Sequence, residues 1–205
     1  MGTKDRDVEV RPGFDAWALL LRRWHSILDD YGALYPNQDA AYWYNERATL
    51  STFTGAVWRC EGLAIEEYRC DRQLSGRAAK GRADLWFRMQ TPVEEFLVEA
   101  KQGWPRTTRA LPVLADELLD EALAQLESDT FTGVSKVALV FLAPRCAAQL
   151  SADSIAEVVV AARSVQHDAF AWYFPPAAAS LRSSVTDAWY PGVIALARSL
   201  QRQVR

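Results

Sequence analysis

Two carboxylates and one lysine stand at a spacing that can do chemistry. Asp84 lies in Gly81-Arg82-Ala83-Asp84-Leu85-Trp86-Phe87, and Glu99 and Lys101 lie in Phe96-Leu97-Val98-Glu99-Ala100-Lys101. Both stretches alternate as strands do, and Thr91-Pro92 between them reads as a turn. With the turn centred on Thr91 and Pro92, antiparallel pairing sets Asp84 directly opposite Glu99. Directly opposed residues share a face with Cβ atoms about 4.5–5.5 Å apart. Lys101, two residues beyond Glu99, shares that face. Leu85, Phe87, Val98 and Ala100 fall on the other, apolar face. Two facing carboxylates repel unless a proton or cation sits between them. One or two carboxylates with water and substrate phosphate are what Mg²⁺ takes. A metal held there polarises a phosphate and activates a water, and Lys101 would orient or deprotonate that water or stabilise the developing charge. Only four of the 23 basic residues are lysines, so a lysine within a strand is notable.

The elements that must position these residues follow from hydrophobic periodicity. Phe14–Asp30 reads as a helix, and Gln38 to about Cys60 as a second, longer one. Leu63–Arg69, Gly81–Met89 and Glu95–Lys101 read as strands. Leu114–Leu126 is a periodic helix, and Lys136–Leu142 is a strand buried on both faces. Ile155–Arg163 reads as a helix, Ala169–Phe174 as a short strand, and about Val193–Gln203 as a last helix. The resulting order, α-α-β-β-β-α-β-α-β-α, predicts a single α/β domain over residues 1–205. Its core covers about 38–143, with an N-terminal helical extension over 1–37 and a C-terminal helix-strand-helix extension over 144–205.

Asp84-x14-Glu99-x-Lys101 on a hairpin that follows a helix resembles the PD-(D/E)XK nuclease superfamily. The resemblance implies a restriction-endonuclease-like α-β-β-β-α-β core, with a central mixed sheet flanked by helices and extra N- and C-terminal helices. Ala83 stands where the family name has proline, a position often changed among members. The resemblance further implies that Asp84 and Glu99 bind Mg²⁺ or Mn²⁺, that the Ala100 carbonyl is a further ligand, and that Lys101 assists the nucleophilic water. Glu46 is a separate clue. Tyr42, Glu46, Leu50, Phe53 and Val57 share one face of the second helix, so Glu46 interrupts an apolar-aromatic stripe. Several branches of the superfamily carry a metal-site glutamate on the preceding helix, and Glu46 resembles it. A pair with a neighbouring arginine, or a place at the stripe's edge, is the other reading.

Basic residues cluster beside this constellation. Arg69, Arg72, Arg77, Lys80 and Arg82 face a single acid, Asp71, in that stretch. After Lys101 comes Gln102-Gly103-Trp104-Pro105-Arg106-Thr107-Thr108-Arg109. Lys80, Arg82, Gln102, Trp104, Arg106 and Arg109 are therefore the candidates for tracking phosphates and stacking a base. The expected activity is metal-dependent hydrolysis of nucleic-acid phosphodiesters, DNA before RNA on the family resemblance, in restriction, defence, repair or recombination. The alternative is a catalytically inactive nuclease-fold protein that binds nucleic acid or protein as an assembly module. A homodimer or a protein partner fits either.

Composition narrows the field. Half of the 205 residues are apolar and the formal net charge is −3, so any nucleic-acid contact must be a local basic patch. No apolar run approaches the ~20 residues of a membrane span. The start Met-Gly-Thr-Lys-Asp-Arg-Asp has no signal-peptide core, and Cys60, Cys70 and Cys146 form no CxxC pair, so a cytoplasmic location is expected. His25 has no nucleophile partner and reads as an ordinary surface or edge residue. No P-loop, GxGxxG, GxSxG or HExxH is present.

Overall fold

The computed structural model describes residues 4–36, 38–74 and 77–200. Seven strands form one mixed sheet: β1 (Arg6–Val10), β2 (Leu63–Leu74), β3 (Arg77–Gln90), β4 (Val93–Gly103), β5 (Ser135–Leu142), β6 (Ala169–Tyr173) and, last in sequence, the strand Val193–Ser199. Between β6 and that strand, β7 (Arg182–Ser183) and β8 (Ala188–Trp189) make a small ribbon of their own, so Val193–Ser199 is β9. The order across the large sheet is β1-β6-β9-β5-β4-β3-β2. Among the described residues, only β4 and β5 run parallel; their connection contains α3 (Leu111–Ser128), which crosses over the sheet as parallel neighbours require. The sheet is flanked by helices on both faces.

On one face lie α1 (Asp15–Leu34) and α2 (Glu46–Arg59). Their apolar stripes meet Leu85, Phe87, Phe96, Val98, Ala100 and Phe141. Trp17 is the centre of this layer, with its ring 5.6–5.8 Å from those of Phe14, Phe53, Phe87 and Phe96. The opposite face is covered by α3 and α4 (Ala152–Arg163), which bury Leu119, Ala122, Leu126, Val158 and Ala162 against Leu97, Ala138, Val140 and Leu196.

The β3–β4 hairpin has the expected two-residue turn, since Gln90 pairs with Val93 and the ladder runs back to Leu85 and Val98. Three expectations are corrected. The stretch 38–60 is not one helix: a 3-10 turn at Ala41–Trp43 precedes α2, whose cap is Asn45, accepting from the Ala48 N–H at 2.9 Å. The expected helix at 193–203 is strand β9, and its residues beyond 200 lie outside the described ones. Its five residues Val193–Ala197 are all buried, so the run lacks the polar positions that would distinguish strand from helix. The C-terminal part is thus not helix-strand-helix. It supplies β6 and β9 to the same sheet, and residues 6–10, where no strand was expected, supply the edge strand β1 against β6.

His25 is also not a surface residue. It is buried between Trp24 and Tyr173, and burial pushes its imidazole down to about 4. No helix among the described residues is long and apolar enough to cross a membrane.

Because Phe87 is fully buried under Trp17 and stacks on Phe96 at 4.7 Å, Phe87→Ala is expected to lower the unfolding free energy by about 3–5 kcal/mol. Urea denaturation followed by tryptophan fluorescence measures this.

Candidate active site

Strand β3 changes partners at Asp84. From Leu85 to Arg88 it pairs with both β2 and β4; from Arg77 to Ala83 it pairs only with β2. Asp84 itself appears in neither ladder. On one side Glu67, at φ 53, kinks β2 out of register contact; on the other, the β4 ladder ends at Val98. Beyond that point β4 stays with β5, from Glu99–Ala138 to Gly103–Leu142. The sheet forks here, and the fork leaves the Ala100 N–H without a β3 carbonyl. The Asp84 carboxylate takes it instead, accepting at 2.8 Å. A strand residue's N–H and C=O point to the same edge, so the Ala100 carbonyl also faces the fork.

Glu99, the first β4 residue beyond the last β3–β4 pair, is 2% exposed. Burial, then the charge of Asp84 and a hydrogen bond with it, push the Glu99 carboxyl up to about 8, outweighing Arg72 and Lys101. Lys101 follows on the same face, which α3 covers. Its half-buried ammonium donates to Gln125 Oε1 at 3.1 Å and lies 3.8 Å from Glu121. Glu46 is not in the middle of a helical stripe, because α2 begins there. It is half-buried at the helix N-terminus, and its carboxyl is raised by burial and then by Asp84, with Lys101 and Arg47 opposing. Asp84, Glu99, Lys101 and Glu46 thus share one electrostatic neighbourhood.

The sequence reading missed the residue that engages Glu99 most closely. Arg72 donates from Nη2 to Glu99 Oε1 and to the Arg82 carbonyl. It was counted only as one of several basic residues, because β2 was expected to end at Arg69. Gly81 was the available signal: a Cβ there would lie 2.5 Å from Arg72 Cδ, so only glycine leaves room for this side chain.

The candidate nucleic-acid residues divide into three groups. Lys80 and Arg82 are exposed and paired, Lys80 with Asp71 at 2.6 Å and Arg82 with Glu67 at 3.1 Å. The Arg77 side chain lies outside the described residues. Gln102 is buried and donates to the Tyr42 carbonyl at 2.8 Å, while its Oε1 has no partner among the described residues. Trp104 packs on the core edge, and Arg106 and Arg109 are exposed with no ion pair among the described residues. Gln102, Trp104 and Arg106 line a concavity of about 540 Å³ with Trp43, Tyr44, Arg145 and Tyr190. The last four had not been singled out, since they come together only through the fold.

No known family's sequence profile matches this chain. No curated protein matches it either. Among solved structures, "Crystal structure of SSO0001" aligns over 76% of this chain and 88% of its own at 14% identity, with a TM-score of 0.24. That likeness is too low to bear on fold or function.

The donor set at the fork can be tested against a metal on its own chemistry. Among the described residues, no group of three or more His, Cys, Asp or Glu side chains gathers to hold an ion. Two carboxylates and one backbone carbonyl do converge, all hard oxygen donors. Burial, and then the facing Asp84, raise the Glu99 carboxyl against the opposing pull of Arg72 and Lys101. Such a set suits Mg²⁺ or Mn²⁺, with waters completing the shell, provided Arg72 gives up Glu99.

With its folded-state value above the unfolded value of 4.5, Glu99 binds more proton in the folded protein. Its contribution to stability is full below about 4.5 and is lost as pH rises through about 8. In EDTA, wild type is therefore expected to lose stability relative to Glu99→Gln between pH 5 and pH 9. Parallel urea titrations across that range test the sign; a constant difference between the two proteins would contradict it.

Proposed function

We propose that this protein is a divalent-metal-dependent nuclease with a restriction-endonuclease-like core, acting on DNA in preference to RNA. The observation that carries this reading is the convergence of Asp84, Glu99 and Lys101 at the fork, with the Ala100 carbonyl facing the same place. The succession α2-β2-β3-β4-α3-β5, with β5 parallel to β4, supports it. Asp84, Glu99 and the Ala100 carbonyl would hold Mg²⁺ or Mn²⁺, which when bound supplies Lewis-acid polarisation of a phosphoryl oxygen and a more acidic water.

The chain's own residues do the rest. Lys101, steadied by Gln125, places an ammonium beside the carboxylates, where it can orient the attacking water or stabilise charge on the phosphate oxygens. Glu46 adds a half-buried carboxylate from the start of α2. Unpaired Arg106 and Arg109 suit phosphates, and the aromatic concavity of Trp43, Tyr44 and Trp104 suits a stacked base.

One observation favours the alternative of a non-catalytic nuclease-fold module that binds nucleic acid or protein. Arg72 already neutralises Glu99 from within the chain.

The two readings separate on a cleavage panel of supercoiled, linear and single-stranded DNA and RNA with Mg²⁺ or Mn²⁺. Wild type is expected to cut, EDTA to stop it, and Lys101→Ala and Asp84→Ala each to lose about 10²-fold or more. A wild type that never cuts would leave the assembly-module reading; variants that cut as well as wild type would remove Asp84 and Lys101 from the catalytic site.

A further inference from the structure

Arg72 reaches Glu99 by an arranged route. In the β2–β3 ladder it pairs with Ala79, so on that face its diagonal neighbour is Gly81. The side chain lies flat across Gly81: a Cβ there would stand 2.5 Å from Cδ, 2.6 Å from Nε and 2.9 Å from Cγ. Gly81 does not have a left-handed backbone, so space and not turn geometry calls for glycine. The backbone under Arg72 is fixed from the other side. It bridges to Asp129, and Thr130 donates to the Asp71 carbonyl through its N–H at 3.0 Å and its hydroxyl at 2.9 Å.

The guanidinium is well placed but incompletely used. Nη2 serves both Glu99 and the Arg82 carbonyl, while the buried Nε has no partner among the described residues. The Arg72 side chain is 15% exposed and that of Glu99 3%, so this is an ion pair removed from water. Breaking such a pair without replacing the cation is strongly unfavourable. A divalent metal at Asp84 and Glu99 is a replacement cation, and it needs the same Glu99 oxygens.

We propose that Arg72 exchanges partners at this site: it holds Glu99 in the metal-free protein, leaves when a divalent metal takes Asp84 and Glu99, and then offers its guanidinium to a substrate phosphate. This rests on the metal-dependent reading above. Arg72 is then a positioning residue that sets how tightly metal binds. If the clasp is closed nine-tenths of the time, it weakens apparent metal affinity about tenfold. A freed guanidinium presents the planar paired donors that a phosphate accepts.

The test is Mn²⁺ titration by calorimetry on wild type, Arg72→Met and Gly81→Ala, with circular dichroism melts as the folding control. Arg72→Met removes the cation; Gly81→Ala keeps it but crowds it off Glu99, which guards against a variant that fails for want of folding. Both variants are expected to bind Mn²⁺ about tenfold more tightly than wild type, and both are expected to melt earlier without metal. In a Lys101→Ala background, Arg72→Met is expected to weaken binding of a fluorescent DNA oligonucleotide with Mn²⁺ and leave it unchanged in EDTA. If wild type binds Mn²⁺ and both variants bind it equally or less well, the exchange is overturned and the metal site stands. If none of the three binds Mn²⁺, the exchange and the metal-dependent reading fall together. Oligonucleotide binding that ignores Arg72 in Mn²⁺ removes the phosphate step.

Discussion

A carboxylate placed inside a sheet must be given a partner, and Glu99 sets that requirement for its whole neighbourhood. It is almost completely buried, and Asp84 faces it with a second negative charge. Every nearby feature answers this charge. Arg72 crosses a neighbouring strand to reach it, Lys101 lies two residues on, and Gly81 is kept bare so that the arginine can pass. The backbone gives way as well. β3 abandons β4 at this point, and the carboxylate of Asp84 stands in for the lost carbonyl as acceptor for Ala100. A sheet optimised only for stability would carry apolar residues here and keep its ladder. Charge at this position costs stability, which marks it as a candidate site.

The hairpin that carries the site was legible in the sequence because its turn allows only one register. Thr91-Pro92 fixes the pairing as far as Leu85 and Val98, and alternation then assigns Phe87 and Val98 to one face and Glu99 and Lys101 to the other. The misses have separate causes. Alternation disappears where a strand is buried on both faces, and Val193–Ala197, apolar throughout, reads as a helix. Arg6–Val10 does alternate, with Val8 and Val10 on the core side, but at five residues, three of them charged, it is too short to stand out as a strand. The stripe through Tyr42 and Glu46 joined two separate pieces, since Asn45 caps a new helix between them.

Arg72 shows a different limit. Its partner is 27 residues away, across an intervening strand, and no local pattern connects the two. Only the length of the β2–β3 ribbon beyond the fork brings them together, and Cys70-Asp71-Arg72-Gln73 carries no strand-like alternation to announce that length. Trp43, Tyr44, Arg145 and Tyr190 are of the same kind: they line one concavity but come from distant segments. Long-range convergence follows from topology, which residue spacing alone does not contain.

The place of β9 bears on how the chain is made. This strand is inserted between β5 and β6, yet it is the last strand in sequence. The elements from α2 to β5, which carry all four candidate acidic and basic residues of the site, emerge from the ribosome before it. Until Val193–Ser199 follows, β5 presents a bare edge that is apolar from Val137 to Leu142, and β1 with β6 has no sheet to join. During synthesis the part of the protein that carries the candidate site therefore exists before the strand that closes its sheet. The interval between them is when a nascent chain is most exposed to pairing with a stranger.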